Sequence, residues 1–350
     1  MNKDIDGFEL YGDGEIASEW VVNSDHVTID ATGRSGNCLK IGWNNNFVQT
    51  PGRLHRNMDS CARLFFGFAF RTNVLPPSGR VQIVALADAG QYLCGLWYDS
   101  VGRLQAGYLS SPSDPESFVA IGIPTPAGTI KLSTWRSLRI DITPHNSAGA
   151  IDVYVGRTLR ISEAGVQTAN LGSGAAPANQ LELVGPGGDQ NWHSFDDYWR
   201  NDESGDENNA LWPDVGVRAQ TGSANGHTAA WCLSGAASAW QCLATADGDT
   251  SYVVSDTADQ VCLVALTPPP STVGDILAIQ TRIVARKDAV DAAAIAPMVS
   301  NGTLDSAADP VDLTDDYETI RTSYGRNPIT GSAWSSSALE TLQIGVKEAS

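Results

Sequence analysis

Short runs that alternate apolar and polar residues, each closed by a turn signal, limit this chain's fold more than any other feature. The clearest is WRSLRIDIT (135–143), with Leu138, Ile140 and Ile142 on one side and Arg139, Asp141 and Thr143 on the other. A period of two belongs to a strand with one buried face. GAIDVYVGRTLRIS then reads as a hairpin with Gly156 and Arg157 at its tip. RLFFGFAFRTNV (63–74) and RVQIVALAD (80–88) add strands divided by a Leu-Pro-Pro-Ser-Gly turn, and QYLCGLWYD with SVGRLQAGYLS adds two more about Ser-Val-Gly. LELVG (181–185) leads into HSFDDYW (193–199). Short strands punctuated in this way predict a β-sandwich rather than a parallel α/β sheet. No G-x-G-x-x-G and no G-x-x-x-x-G-K-[ST] follows a strand, which removes dinucleotide and P-loop chemistry.

At 350 residues the chain exceeds what one hydrophobic core ordinarily fills, so two domains are expected. The pattern gives an all-β protein of two β-sandwich domains in tandem: residues 1–200, an acidic connector 201–211, and a second β-rich domain 212–350. Within the latter, WPDVGVRAQ, DGDTSYVVSD, QVCLVAL and DILAIQTRIVARKD read as strands. AVDAAAIAPMVS (289–300) suits a helix by its alanines and a strand by Pro297 and its β-branched spacing. ALETLQIGV (338–346) predicts a helical turn running into a final strand.

The net charge of −18, from 40 acidic and 22 basic residues, argues against nucleic acid, whose binding rests on neutralised phosphates. MNKDIDGFEL has no apolar core of an export signal, and no apolar run approaches the ~18 residues of a membrane span. Folding in a cytoplasm, without membrane insertion, is therefore expected. The six cysteines divide evenly between the halves with no C-x-x-C, which removes zinc ribbons and thioredoxin-type redox sites. They read as buried thiols, with Cys232 and Cys242 the one pair placed for a bridge.

WHSFDDYWRNDESGDENNALW (192–212) gathers six carboxylates between Asp196 and Glu207. Counted from Asp202 as an EF-hand loop, Asp202, Ser204, Asp206 and Asn208 supply oxygens. Glu207 then replaces the turn glycine and Pro213 the final glutamate, so that motif fails. Asp202, Asp206 and Asn208 remain candidate ligands for an irregular calcium site, against the alternative of a hydrated interdomain seam. Glycoside hydrolysis needs two carboxylates across one cleft, whereas Asp196 and Asp197 are adjacent and on a regular strand would point to opposite faces. The five histidines are scattered and no G-x-S-x-G exists, so no catalytic residue is assigned. Sugar binding, with aromatic faces beside Asn and Asp, selects Trp43, Asn44 and Asn45 in GWNNNF, together with Tyr98. Of the adjacent Trp97 and Tyr98, one must pack inward and one outward.

The order IDGFELYGDG, FGFAFRT, TWRSLRIDIT, GAIDVYVGRTLRI and HSFDDYW resembles the laminin-G-like, concanavalin-A-like jelly roll frequent in virion proteins of tailed bacteriophages. DVGVRAQ, DGDTSYVVSDT, IQTRIVARKD and RNPITGSAWSSSALETLQIGV resemble a β-rich region of the same proteins. The resemblance implies a non-enzymatic virion component, of tail-appendage, fibre or head-decoration type. It implies partners among tail or capsid proteins, synthesis in the host cytoplasm and assembly as a homotrimer. A carbohydrate-binding adhesin for host recognition is the alternative it leaves open. No cofactor is implied.

Overall fold

The computed structural model describes residues 4–11, 15–22, 26–42, 51–111, 117–172, 174–188, 190–270, 273–288 and 293–349. The chain is all-β, two sandwich-type units in tandem, Met1–Arg218 and Ala219–Ser350. Residues 201–211, read above as a connector, lie within the first unit.

In chain order the first unit contains β1 (Asp4–Asp6), β2 (Val21–Val22), β3 (Val27–Asp30), β4 (Cys38–Gly42), β5 (Arg53–Cys61), β6 (Leu64–Thr72), β7 (Arg80–Asp88), β8 (Gln91–Asp99), β9 (Leu104–Leu109), β10 (Phe118–Ile121), β11 (Arg136–Thr143), β12 (Gly149–Val155), β13 (Thr158–Val166), β14 (Ala178–Val184) and β15 (Trp192–Asp202). They form two antiparallel sheets. One runs β13-β12-β11-β6-β15-β4-β3, with β1 also on β15; the other runs β10-β9-β8-β7-β14-β5-β2. Neighbours distant in sequence lie side by side in both, which makes the unit a jelly-roll-like sandwich.

The period-two reading places the core. Leu138, Ile140, Ile142, Ile151, Val153 and Ile161 line the inner face of the eight-stranded sheet with Phe66, Phe68 and Phe70. Leu54, Leu86, Leu96, Leu181 and Leu183 answer from the seven-stranded sheet. One charged cluster sits among them. Arg56 is buried against Asp4 and Asp6, with its guanidinium 4.2 Å from the Trp20 ring centroid. Asp6 also accepts from Tyr11 Oη at 2.5 Å and Trp20 Nε1 at 3.0 Å, so the buried carboxylate is well supplied with donors.

The chain beyond β15 folds back on the outer face of its own sheet. Trp212 packs on Trp199 with centroids 5.2 Å apart and the rings tilted by 34°, and its carbonyl accepts from Arg139 Nη1 at 2.8 Å. Gly67 on β6 leaves the space that Trp199 fills: a Cβ there would lie 2.7 Å from the indole.

The second unit contains β16 (Gly222–Ala229), β17 (Cys232–Ser234), helix α1 (Ala239–Cys242), β18 (Tyr252–Val254), β19 (Val261–Leu266), β20 (Ile279–Ala285), β21 (Ala294–Ser300), β22 (Asp305–Ala307), β23 (Val311–Asp312), β24 (Glu318–Tyr324), helix α2 (Ser336–Glu340) and β25 (Gln343–Glu348). A six-stranded sheet runs β16-β19-β25-β21-β22, with β23 also on β21. The β20–β24 ribbon packs on it through Ile283 and Ile320 against Val264, Ile295 and Val346. The ambiguous alanine-rich stretch is thus strand β21. Pro297 is tolerated there because its missing N–H faces the gap between β22, paired from Met298, and β23, paired at Ala294 and Ile295. All six cysteines are free thiols, so no Cys232–Cys242 bridge forms, and Cys232 is exposed rather than buried.

Candidate functional site

Alternation decides what the seven-stranded sheet turns outward. Because Leu54, Leu86, Cys94, Leu96, Leu181 and Leu183 enter the core, their strand neighbours face away from it. The register aligns one outward row across six strands: His55, Glu182, Ala85, Gly95, Gly107 and Ala120. Ala85, Gly95 and Gly107 are buried and carry at most a methyl group. The middle of the row is therefore a backbone floor, roughly 10 Å across at ordinary strand spacing. A second row, Gln82, Trp97 and Gln105, runs beside it. Register shifts between Gln82 and Val84 and between Leu86 and Ala87 bend the β7–β8 pair here, and such bulges re-aim flanking side chains.

One side of the floor is aromatic. Trp97 meets Phe118 edge-on with centroids 4.4 Å apart. Gly107 makes room for Phe118, since a Cβ there would lie 2.1 Å from the ring. The exposed Arg80 lays its guanidinium 3.9 Å from the Phe118 centroid.

The other side is a polar network. Arg53 Nη1 donates to Glu182 Oε2 at 2.8 Å, and Nη2 donates to Gln82 Oε1 at 3.2 Å. The same guanidinium lies 5.0 Å from the Tyr92 ring centroid, with Tyr92 Oη 3.5 Å from Glu182 Oε1. Burial pushes the Tyr92 phenol up against the opposing pull of Arg53. Since Arg53 is a pure donor, it fixes which end of the Gln82 amide is oxygen. The Gln82 Nε2 is then a buried donor with no acceptor among the described residues, on a side chain 7% exposed. A buried donor left unpaired costs about 1–3 kcal/mol, so an acceptor delivered here has a large return.

The residues selected from sequence are distributed differently. Trp43, Asn44 and Asn45 lie outside the described residues. Tyr98 is not a surface residue: it is 0% exposed, inside the sandwich, with Thr72 Oγ1 3.2 Å from its hydroxyl. Its neighbour Trp97 takes the outward position but is itself 3% exposed, packed against Phe118. His193 is a core residue. Its Nδ1 donates to the Val184 carbonyl at 2.6 Å, which leaves Nε2 to accept from Tyr98 Oη at 2.9 Å, and burial lowers its pKa to about 3.

Asp202 is occupied by a local turn, accepting from Ser204 N at 2.9 Å and Ser204 Oγ at 2.5 Å. Asp206 is exposed, and Asn208 holds a left-handed backbone with φ 50°. Among the described residues no group of three or more His, Cys, Asp or Glu is placed to hold a metal, at these positions or elsewhere.

Asp196 and Asp197 do not point to opposite faces. Three steps from Asp196 to Trp199 oppose two from Ala69 to Gly67, and Asp197 is the inserted residue at φ 51°. Asp196 accepts from the backbone N–H of Arg34 at 2.7 Å and Ser35 at 3.3 Å. Asp197 accepts from Val217 N at 2.7 Å and pairs with Arg34 at 3.3 Å. Glu9 joins this acidic group. Its own burial and the nearby Asp196 raise its pKa to about 8, and burial with Asp197 alongside raises that of Asp196 to about 6.

The polar and aromatic face was not singled out from sequence. The available signal was glycine inside two strand patterns, QYLCGLWYD and LQAGYL, which marks close approach of backbone by another group.

No family model matches the chain, and no curated protein matches it. Among solved structures, the cellulose induced protein Cip1 aligns at 16% identity over 61% of this chain and 100% of its own, with a TM-score of 0.40. The alginate lyase Aly36B aligns at 12% identity over 61% and 99% of the two chains, TM-score 0.41. A mutant Trypanosoma rangeli sialidase displaying trans-sialidase activity aligns at 14% identity over 52% and 30%, TM-score 0.33. Likeness at this level carries no argument about activity, and the sandwich assignment rests on the chain's own strand pairing.

Proposed function

We propose that this chain is a non-enzymatic carbohydrate-binding protein that presents the outer face of its seven-stranded sheet to a glycan. The observation that carries this reading is Gln82: its carbonyl oxygen is held by Arg53 while its buried Nε2 awaits an acceptor beside the Trp97–Phe118 pair. A sugar supplies the hydroxyl oxygens that such a donor lacks. The non-enzymatic part rests on Glu182, the carboxylate of the central row, which is already held by Arg53.

Display on a tailed-phage particle, as a homotrimeric fibre-like or decoration component, is the setting supplied by the sequence resemblance alone. A glycan-reading face would there serve attachment to a host surface. Light scattering tests this part, and a monomeric mass would remove the trimer.

The binding test is a glycan array followed by titration of the retained oligosaccharide into the native protein, Gln82→Ala and Phe118→Ala. A loss of tenfold or more is expected in each variant, with the melting temperature close to native. Undiminished binding by both variants would place the glycan elsewhere and end the assignment. New reducing ends released from the bound oligosaccharide would end its non-enzymatic half.

A further inference from the structure

The return of the chain over the eight-stranded sheet is held by two different kinds of contact. At Trp212 it is held by packing on Trp199 and by the carbonyl that takes Arg139. Beyond Trp212, along residues 213–218, the fastenings are polar. Asp214 Oδ1 accepts from Arg34 Nη1 at 2.9 Å, and the Val217 N–H donates to Asp197 Oδ1 at 2.7 Å. Arg218 lies 3.6 Å from the same Asp197 carboxylate and donates to Ser35 Oγ. All of them run to Asp197 on β15 or to Arg34 and Ser35 in the turn between β3 and β4. Glu9 is lodged in that group. A Cβ on Gly7 would collide with Glu9 Oε2 and lie 2.9 Å from Val217 Cγ1, and a Cβ on Gly36 would lie 3.3 Å from Glu9 Oε1. The carboxyl therefore sits between the segment after β1, the β3–β4 turn and residue 217. Its Oε1 is buried and meets no donor among the described residues, a position that suits a neutral acid and penalises a carboxylate.

The charged groups around Glu9 are Asp196 and Asp197 from β15, Arg34 from the turn, and Asp214 and Arg218 from the returning chain. While Glu9 is neutral, two guanidiniums serve three carboxylates. Its ionisation adds a fourth carboxylate to a group with no further cation named in it, and the fastenings of residues 213–218 are what that group consists of. We propose that residues 213–218 form a pH-operated latch, shut while Glu9 carries its proton and loosened when Glu9 ionises, with Trp212 as its fixed end. Burial, and after it Asp196, holds the Glu9 pKa at about 8 in the shut state, and in the loosened state the carboxyl regains its ordinary 4.5. Shut and loosened forms then differ in bound protons only between those values. Loosening starts above about pH 4.5, grows until pH 8 and levels off beyond it. Since the second unit starts at Ala219, opening moves the last fixed point ahead of it from Arg218 back to Trp212.

Hydrogen–deuterium exchange of the full chain at pH 5, 7, 8 and 9 tests the latch, with each rate divided by that of the unstructured chain at the same pH. Protection of the amides at 214–218, Val217 above all, is expected to fall tenfold or more from pH 5 to pH 9. Most of that fall should be complete by pH 8, while the amides of β11 and β12 keep their protection throughout. Glu9→Gln, which cannot ionise, is expected to stay protected at pH 9. Equal protection at pH 5 and pH 9 in the native protein would overturn the latch, and so would a loss in Glu9→Gln as large as the native one. A loss shared in full by β11 and β12 would also overturn it, because the effect would then belong to the stability of the whole unit.

Discussion

At the scale of single residues, the acidic group around β15 has a consequence for pH. Glu9 is folded with a pKa of about 8 against an ordinary 4.5, so the folded state holds a proton that the unfolded state releases. Stability from this source is complete below about pH 4.5 and is lost as pH rises through 8, and Asp196 adds a smaller slope of the same sign ending near 6. The melting temperature of the native protein is therefore expected to fall by several degrees from pH 5 to pH 8.5. Glu9→Gln, which keeps the shape and removes the charge, is expected to flatten most of that fall in a scanning-fluorimetry series. Parallel curves for the two proteins would show that Glu9 does not carry the slope. None of this was legible in the sequence: Asp196 and Asp197 stood out as neighbours, but Glu9 reaches them only through strand pairing of β1 beside β15.

At the scale of elements, the outer face of the eight-stranded sheet is covered by the chain's own return. Trp199 and Trp212 are both buried and in ring contact, and the Trp212 carbonyl takes one end of Arg139. Trp212→Ala is expected to destabilise the first unit by about 3 kcal/mol through the cavity and the uncovered indole. Gly67→Ala would force its methyl against Trp199 and cost about 1–3 kcal/mol. Denaturant melts of the two variants read both numbers, and a native midpoint in either would refute the covering role. The strands themselves were visible in advance because burial of one face imposes a period of two, as in WRSLRIDIT and GAIDVYVGR. Tyr98 shows the limit of that signal. Periodicity says that Trp97 and Tyr98 part company, but which one enters the core depends on the register with β7 and β9 and on a hydrogen bond to His193, 95 positions away. The bulge at Asp197 was hidden for the same reason, since it is defined only against the partner strand.

For the molecule as a whole, the boundary between units follows from what residues 203–218 do rather than from what they are made of. Their acidity reads as a hydrated seam, and Glu203 and Asp206 are exposed. Yet Trp212 and Val217 are fastened to the sandwich, and Arg218 reaches both Ser35 and, at 3.6 Å, Asp197. A fragment ending at Arg218 is therefore expected to fold with a single cooperative transition. One ending at Glu203 retains all fifteen strands but strands Trp199 and Asp197 without their cover, and is expected to melt well below it or to aggregate. Near-ultraviolet circular dichroism of the two fragments decides the matter. Equal melting would return residues 204–218 to the status of a tether.

The central place of β15 also governs the order in which this protein can be made. It is flanked by β6 and β4, and Asp4 is paired with Arg200, so strands from the first seventy residues have their permanent neighbour only near position 200. Contacts so distant along the chain close slowly. Until Trp192–Asp202 has left the ribosome, Phe66, Phe68 and Phe70 sit on a sheet with one edge open, and that edge is able to pair with another nascent chain. Yield of native protein should therefore depend on the spacing of neighbouring chains during synthesis, with slower initiation raising the soluble fraction.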